Sequence, residues 1–303
     1  MKDLQVLKIK NEKIKITKEN NKYLKMLKEI NKKYRYIRDI EKGAWGQVKL
    51  YYNVFKKQTC VCKYIEDEYI YKQEVRMLNM IKHPSIIEMY EDIKIDTYNI
   101  IVMEYINAKD LFYILSDDKK YIKLQEKEMM IEQIISGIEY LHKKGIAHMD
   151  IKIENILYNT LSKKIKIIDF GISLIYKDKT KSYLYGVDKN NINWYYPPEC
   201  YLQRTLYIRP EKIDIWCLGL LIYNIIYQVN VWDESNYQCK YYVNYIKTGI
   251  FMRKLKRQRK AIENDIDEFI REILEINPRK RKSIYYVKLS FNVYKIKKMM
   301  QFF

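Results

Sequence analysis

Histidine is nearly absent from this chain. His83, His142 and His148 are all there is in 303 residues, and none is placed with cysteines as zinc ligands would be, which argues against a zinc centre. The five cysteines, Cys60, Cys62, Cys200, Cys217 and Cys239, are odd in number and lack the spacing of a disulfide framework or a metal site. They fit a reducing, intracellular compartment such as the cytoplasm. Cys60 and Cys62 stand two apart on an expected strand, so they share a face and read as core thiols before they read as a redox pair. The first residues carry charges every few positions and no apolar segment, so no secretory signal is expected. One run, IDIWCLGLLIYNIIYQVNVW at 213–232, is long enough to raise a membrane span. Asn224, Gln228 and Asn230 interrupt it and Asp214 heads it, so a buried helix is expected and no membrane span.

Positive charge and tyrosine are abundant instead. Lys and Arg total 57 against 38 Asp and Glu, a formal charge of +19, which draws acidic partners, anionic ligands or membrane surfaces over long range without specifying any chemistry. Part of that basicity goes with the excess of Lys, Ile, Asn and Tyr, all encoded by A/T-rich codons. No nucleic-acid motif or interleaved aromatic platform accompanies the charge, so no specific nucleic-acid partner is expected. Hydrophobic residues make up 48% and charged residues 31%, the balance of a folded globular chain with one large domain or two lobes.

Residues 1–33 hold eleven Lys against four acidic residues and read as a basic, partly helical extension. From 34 to about 105 short alternating runs (YRYIRDIEKGAWGQVKLYYN, TCVCKYI, YNIIVMEYI) predict a mainly antiparallel sheet, with one helix at YKQEVRMLNMIK. From 106 to about 292 the pattern is largely helical, as in LQEKEMMIEQIISGIEYLHKKG, and 293–303 forms a C-terminal tail. The expected fold class is therefore α+β, a small sheet lobe followed by a larger mostly α-helical lobe. Two basic stretches, RKLKRQRK at 253–260 and the tail KIKKMMQFF, read as a solvated linker and an end segment.

Four stretches look like chemistry. GAWGQV at 43–48 brackets a tight connection with two glycines, which let backbone N–H groups approach phosphate oxygens. Lys63 ends the strand run CVCK, and Glu74 on the next helix supplies a carboxylate that such a lysine needs if it is buried. HMDIKIENIL at 148–157 places five different polar side chains in an apolar run, and IKIIDFGIS follows with Asp169 at the end of an apolar strand. Asp150, Asn155 and Asp169 with Lys152 make a site for a magnesium nucleotide, since Mg²⁺ takes hard oxygen ligands.

Taken in order, the set resembles the eukaryotic protein kinase family over roughly residues 34–292. GAWGQV is similar to the glycine-rich loop, CVCK to the V-A-I-K strand, HMDIKIEN to the H-R-D-L-K-P-E-N loop, and DFG stands intact. PPE at 197–199 is similar to A-P-E, DIWCLG at 214–219 to D-x-W-x-x-G, and NPRKRKS to a late D-P-x-x-R-x-T segment that would pair Arg281 with Glu199. The resemblance implies the two-lobed kinase fold and a serine/threonine kinase using ATP and Mg²⁺ on protein substrates. It implies that Asp150 orients the acceptor hydroxyl, Lys152 steadies the transferred phosphoryl group, and Asn155 and Asp169 hold the metal. Lys63, held by Glu74, would grip the α- and β-phosphates. Gly43, Gly46, Val48, Met103, Glu104 and Ile106 would complete the nucleotide site, with Met103 narrowing the pocket behind adenine. Asp110 and Glu154 match acidic positions that contact basic residues upstream of the acceptor.

The departures are as informative. Met149 replaces the arginine of H-R-D, which removes a reader of activation-loop phosphate, so Thr180, Ser182, Tyr183 and Tyr185 are not expected to form a required switch. Ile153 replaces the proline of K-P-E-N, and Ile192 stands where a threonine bonding the catalytic Asp and Lys is usual. A loop held by its neighbours tolerates Ile153, but Met149 and Ile192, together with Glu41, leave a nucleotide-binding scaffold without catalysis as the alternative. Glu41 replaces the first loop glycine and sets a carboxylate beside the phosphates. Weak ATP affinity is expected, since a tenfold loss would take only about 1.4 kcal/mol; a Michaelis constant for ATP in the low micromolar range would refute this.

Overall fold

The structure, a computed structural model, describes residues 30–43, 46–95, 98–116, 122–176, 183–185, 194–201, 206–251 and 260–300. The chain divides into two compact units, one ending at Glu68 and rejoined by Tyr90–Tyr105, the other made of Tyr69–Met89 and everything from Ile106 onward.

The first unit is a five-stranded sheet of β1 (Tyr34–Gly43), β2 (Gly46–Asn53), β3 (Gln58–Ile65), β4 (Met89–Ile95) and β5 (Tyr98–Glu104), in the order β1-β2-β3-β5-β4. The first alternating run of the sequence thus breaks at GAWG into two antiparallel strands, with Gly43 opposite Gly46. At the other end Asn53 turns the chain, its Oδ1 accepting from the backbone N–H of Phe55 (3.1 Å) and Lys56 (2.9 Å). Cys60 pairs with Tyr51 and Cys62 with Val102, so the period of two puts these four on one face. They form its core with Tyr34 and Ile100, and both thiols are buried, as expected of core cysteines. Strand β4, Met89–Ile95, has no counterpart in the sequence reading, because MYEDIKI mixes charged and apolar residues without clean alternation.

The second unit begins with helix α1 (Glu68–Met80), which buries Tyr71, Glu74, Met77 and Leu78 at helical spacing. The sequence assigns this helix to the sheet lobe, yet its contacts group it with the helical one. Ile70 lies against Gly171, the Lys82 N–H donates to the Tyr140 hydroxyl at 2.8 Å, and Ile86 bridges Ile167. Helix α2 (Leu111–Leu115) is short, and helix α3 (Leu124–Lys143) runs through the centre of the unit. Helix α4 (Pro210–Tyr227) starts with proline in its first turn and is buried along its whole length. It contains most of the long apolar run, and no helix among the described residues is long and apolar enough to cross a membrane.

Helices α5 (Lys240–Thr248), α6 (Lys260–Ile273) and α7 (Ile284–Met300) follow. Arg281, 1% exposed, grips Glu199 with two hydrogen bonds of 2.7 and 3.0 Å and lies 4.9 Å from the Trp216 ring centre. This is the pair the sequence expects. The boundary expected at 292 falls inside α7, which continues unbroken to Met300 and buries Tyr294. Lys288, Lys295 and Lys298 of α7 meet Glu139, Glu132 and Glu128 of α3 at 2.7, 3.1 and 2.6 Å.

Small sheets carry the loops of interest: β6 (Lys109–Asp110) with β8 (Ile156–Asn159) and β9 (Lys164–Ile167), and β7 (Ile146–Ala147) with β10 (Leu174–Ile175). A third pair joins β11 (Tyr183–Tyr185) to β12 (Leu206–Ile208).

Candidate active site

In the first unit the sheet register gathers Val48, Lys63 and Met103 on one face. Val48 is opposite Lys63, Lys63 is opposite Ile101, and Met103 is two residues further along β5. All three side chains therefore point away from the face that carries Cys60 and Cys62. Glu104 ends β5 opposite Cys60, on the thiol side. Gly46 has φ +148°, and a Cβ there would lie 1.7 Å from the Tyr64 carbonyl oxygen, so the close approach of β3 to β2 requires glycine. The backbone of Glu41 pairs with Val48, and its side chain lies outside the described atoms.

In the second unit the loop from His148 to Asn155 hangs from one buried carboxylate. Asp214, 0% exposed at the head of α4, accepts from the backbone N–H groups of His148 and Met149, each at 2.8 Å. His142 Nε2 meets the same carboxylate at 2.8 Å. The apolar run around Asp214 marks a buried helix in the sequence, but nothing in it announces these three bonds. They hold Met149 at φ +71°, an uncommon conformation for a branchless residue with a Cβ, with its side chain fully buried. The arginine expected at this position is thus replaced by a core side chain.

Beyond Met149 the chain presents Asp150. Its Oδ2 takes the Lys152 ammonium at 2.7 Å and the Asn155 side-chain amide at 2.8 Å. The same amide also donates to the Asp150 carbonyl at 2.8 Å, so both Nδ2 bonds of Asn155 aim at Asp150 and its Oδ1 is turned the other way. A hard cation wants that carbonyl oxygen. His148 orders the turn: its Nδ1 accepts from the Asp150 N–H at 3.2 Å, and its Nε2 lies 3.0 Å from the Ile168 carbonyl. A carbonyl only accepts, so the partners assign the proton to Nε2. The Asn155 carbonyl in turn accepts from Ile168 N–H at 3.0 Å, which brings the two metal-ligand candidates, Asn155 and Asp169, to adjoining strands of chain.

Asp169 has φ +67°, and Gly171 follows. A Cβ at 171 would stand 2.9 Å from Ile70 Cγ2, 3.5 Å from Asp169 Oδ1 and 3.8 Å from Glu74 Oε2. Buried Glu74 and half-buried Asp169 thus both reach the space beside Gly171, where the Ile70 methyl leaves little room for a side chain. Oxygen donors from Asn155 and Asp169 suit Mg²⁺, and they belong to one unit.

Asp110 and Glu154 sit close together, since β6 pairs Asp110 with Leu157 on the strand that leaves the loop. Asp110 is also a helix cap, its Oδ1 accepting from Tyr113 N–H at 2.6 Å, a use the sequence reading misses. Burial pushes the Glu154 carboxyl above the usual range, and the charges of Asp150 and Asp110 add to it. Glu154 Oε2 is buried with no hydrogen-bond partner among the described residues. Ile106 begins the second unit, its carbonyl accepting from Ala108 N–H at 2.8 Å. Thr180, Ser182 and Ile192 lie outside the described residues, and Tyr183 and Tyr185 are described by backbone alone.

Replacing Asp214 by Asn leaves one of two buried backbone N–H groups without a carboxylate oxygen. Asp214→Asn is expected to lower stability by about 3 kcal/mol or more and to speed amide exchange at 148–150, read by urea unfolding and hydrogen exchange. Unchanged exchange there would show that the loop does not hang from this carboxylate.

Comparison with known proteins agrees with this arrangement. A family profile described as "protein kinase domain" matches residues 34–290. The mouse protein named "NUAK family SNF1-like kinase 1" is 30% identical over 252 residues, 80% of this chain and 36% of that protein. The Saccharomyces cerevisiae "Carbon catabolite-derepressing protein kinase" is 29% identical over 80% of this chain and 37% of its own length. "Serine/threonine protein kinase OSK3" of Oryza sativa subsp. indica is 32% identical over 70% of this chain and 39% of its own length. The chain thus spans well under half the length of these relatives. With the profile running across both the sheet and the helical unit, and through every loop described above, the chain belongs to the protein kinase family.

Proposed function

We propose that the chain is a serine/threonine protein kinase that transfers the γ-phosphate of ATP to protein Ser/Thr hydroxyls, with a catalytic domain that runs from residue 34 through the end of α7 and with 1–33 as a flanking extension. The observation that carries this reading is the Asp150 carboxylate, bonded by Lys152 at 2.7 Å and Asn155 at 2.8 Å in a loop anchored on Asp214. Names of three relatives, each a kinase, support it. The five free, buried cysteines suit a reducing, cytoplasmic setting.

In this reading Asp150 accepts or orients the proton of the acceptor hydroxyl. Lys152, already beside it, is placed to follow the transferred phosphoryl group. Asn155 and Asp169 would hold Mg²⁺ through oxygen. Held there, the metal would supply positive charge against the negative charge that grows on the phosphates during transfer. Lys63 is assigned to the α- and β-phosphates and Glu74 to that lysine, with Gly43, Gly46, Val48, Met103, Glu104 and Ile106 around the nucleotide. Because this chemistry needs placement more than a strong nucleophile, a loop fixed at so many backbone atoms serves it directly.

The buried, uncharged Met149 side chain supports activity without activation-loop phosphate. Phosphatase-treated protein is expected to transfer phosphate from ATP with Mg²⁺ to a Ser/Thr peptide library, and Asp150→Asn to lose about 100-fold or more. Loss of transfer on phosphatase treatment would refute independence from phosphorylation. No transfer from either protein, with nucleotide binding intact, would establish the scaffold alternative.

Glu154, with its unpaired buried oxygen, favours peptides with Arg or Lys upstream of the acceptor. Burial raises its carboxyl, which is neutral at low pH and charged above, so the preference for basic peptides is expected to grow with pH through a range above that of an ordinary glutamate. Glu154→Gln should flatten that dependence in kcat/KM ratios for basic against neutral peptides; an unchanged slope would remove Glu154 from the subsite.

A further inference from the structure

A buried chain of hydrogen bonds ends on the loop that holds Asp150. It starts at Asn224 in α4, whose Nδ2 donates to the Val229 carbonyl (2.9 Å) and to Asn230 Oδ1 (3.0 Å). Those two bonds fix the amide so that Oδ1 faces Tyr195. The Tyr195 hydroxyl donates to Asn224 Oδ1 at 2.7 Å, which spends its only proton. It is left to accept, and it does so from the backbone N–H of Ile153 at 3.3 Å. Tyr195 itself is held in place. It is 1% exposed, its ring lies 3.9 Å from that of Trp194, and Cys217 Sγ donates to its carbonyl at 3.3 Å.

The N–H at 153 exists only because this chain has isoleucine where the resemblance expects proline. The local backbone would accept proline without change. Lys152 is extended, at φ −159° and ψ 166°, as a residue before proline must be, and Ile153 opens the helical turn Ile153–Asn155, where proline is at ease. The one polar group that proline would remove is the one Tyr195 binds. The other end of the same peptide unit is fixed as well, since the Lys152 carbonyl accepts from Asn155 N–H at 3.1 Å. The Lys152–Ile153 peptide plane is therefore pinned at both its oxygen and its hydrogen, one residue from the ammonium that meets Asp150.

We infer that Tyr195 is a positioning residue of the Asp150 loop, holding the Lys152–Ile153 peptide through its hydroxyl so that Lys152 and Asp150 keep their relative placement during phosphoryl transfer. This role rests on the phosphoryl-transfer reading above. It acts on the chemical step and not on nucleotide binding.

The test is a double-mutant cycle of Tyr195→Phe and Ile153→Pro. Each single variant is expected to lower kcat roughly three- to tenfold, the effect of one net hydrogen bond, with KM for ATP within about twofold of wild type. The double variant should be no worse than either single, because both remove the same bond. Multiplied losses, or full kcat in Ile153→Pro, would overturn the proposal. A merely structural tyrosine would lower stability without this coupling. Should Tyr195→Phe fail to fold, Ile153→Pro still decides, since it leaves the Tyr195–Asn224 bond in place. Hydrogen exchange of the peptide 148–157 gives a reading independent of turnover: Tyr195→Phe should accelerate it, and unchanged exchange would overturn the tether. If wild type shows no transfer while the exchange responds, the tether stands and the kinase reading falls.

Discussion

One buried carboxylate bears the geometry of the candidate site. Asp214 has no solvent to satisfy it, and two backbone N–H groups and an imidazole take that place. An ionised group in such surroundings is tolerable only while its partners stay put. The dependence is mutual: helix α4 can bury Asp214 because the loop supplies donors, and the loop can hold Met149 at positive φ because α4 supplies the acceptor. His148 then passes the order on, through Asp150 N–H on one side and the Ile168 carbonyl on the other, so that both carboxylate-bearing segments answer to the same anchor.

Much of this was legible in the sequence, for reasons tied to particular residues. Alternation in TCVCK separates Cys60 and Cys62 from Lys63 by face, and the sheet does the same. The helix 213–227 is plain because apolar residues cover all its sides, and Arg281 with Glu199 follows from the motif order. What stayed hidden depends on contacts distant in sequence. Strand β4 mixes its two faces, and α1 with the segment after it joins the helical unit through Ile70, Lys82 and Ile86, whose types do not announce it. Asp110 could be named as a candidate for recognition but not as the cap of α2, since both uses ask for the same carboxylate. Helix α7 past residue 292 shows little periodicity because its outer side is apolar too, with Leu289, Val293 and Ile296 all half exposed.

The chain has 31 tyrosines against 8 phenylalanines, and the core shows how it accommodates them. A buried hydroxyl usually takes a partner. Tyr158 finds Glu126, Tyr227 finds Asp267, Tyr34 finds Glu91 and Tyr245 finds the Leu274 carbonyl. A composition that looks like codon bias has become a set of specific polar contacts inside the fold. Tyr195 belongs to this set, and its partner happens to be the loop that matters most.

The ladder between α3 and α7 has a different consequence. Lys288, Lys295 and Lys298 ascend one helix while Glu139, Glu132 and Glu128 descend the other. Glu128 and Glu139 are buried while their lysines reach toward solvent, and ion pairs at such a margin add modest energy one at a time. Sliding α7 by a single turn, about 5.4 Å, would nevertheless unmake all three together, along with the bond from Tyr294 to Glu128. The charges therefore act as graduation marks on two rulers: they select one alignment among several that the apolar seam alone would treat as nearly equal.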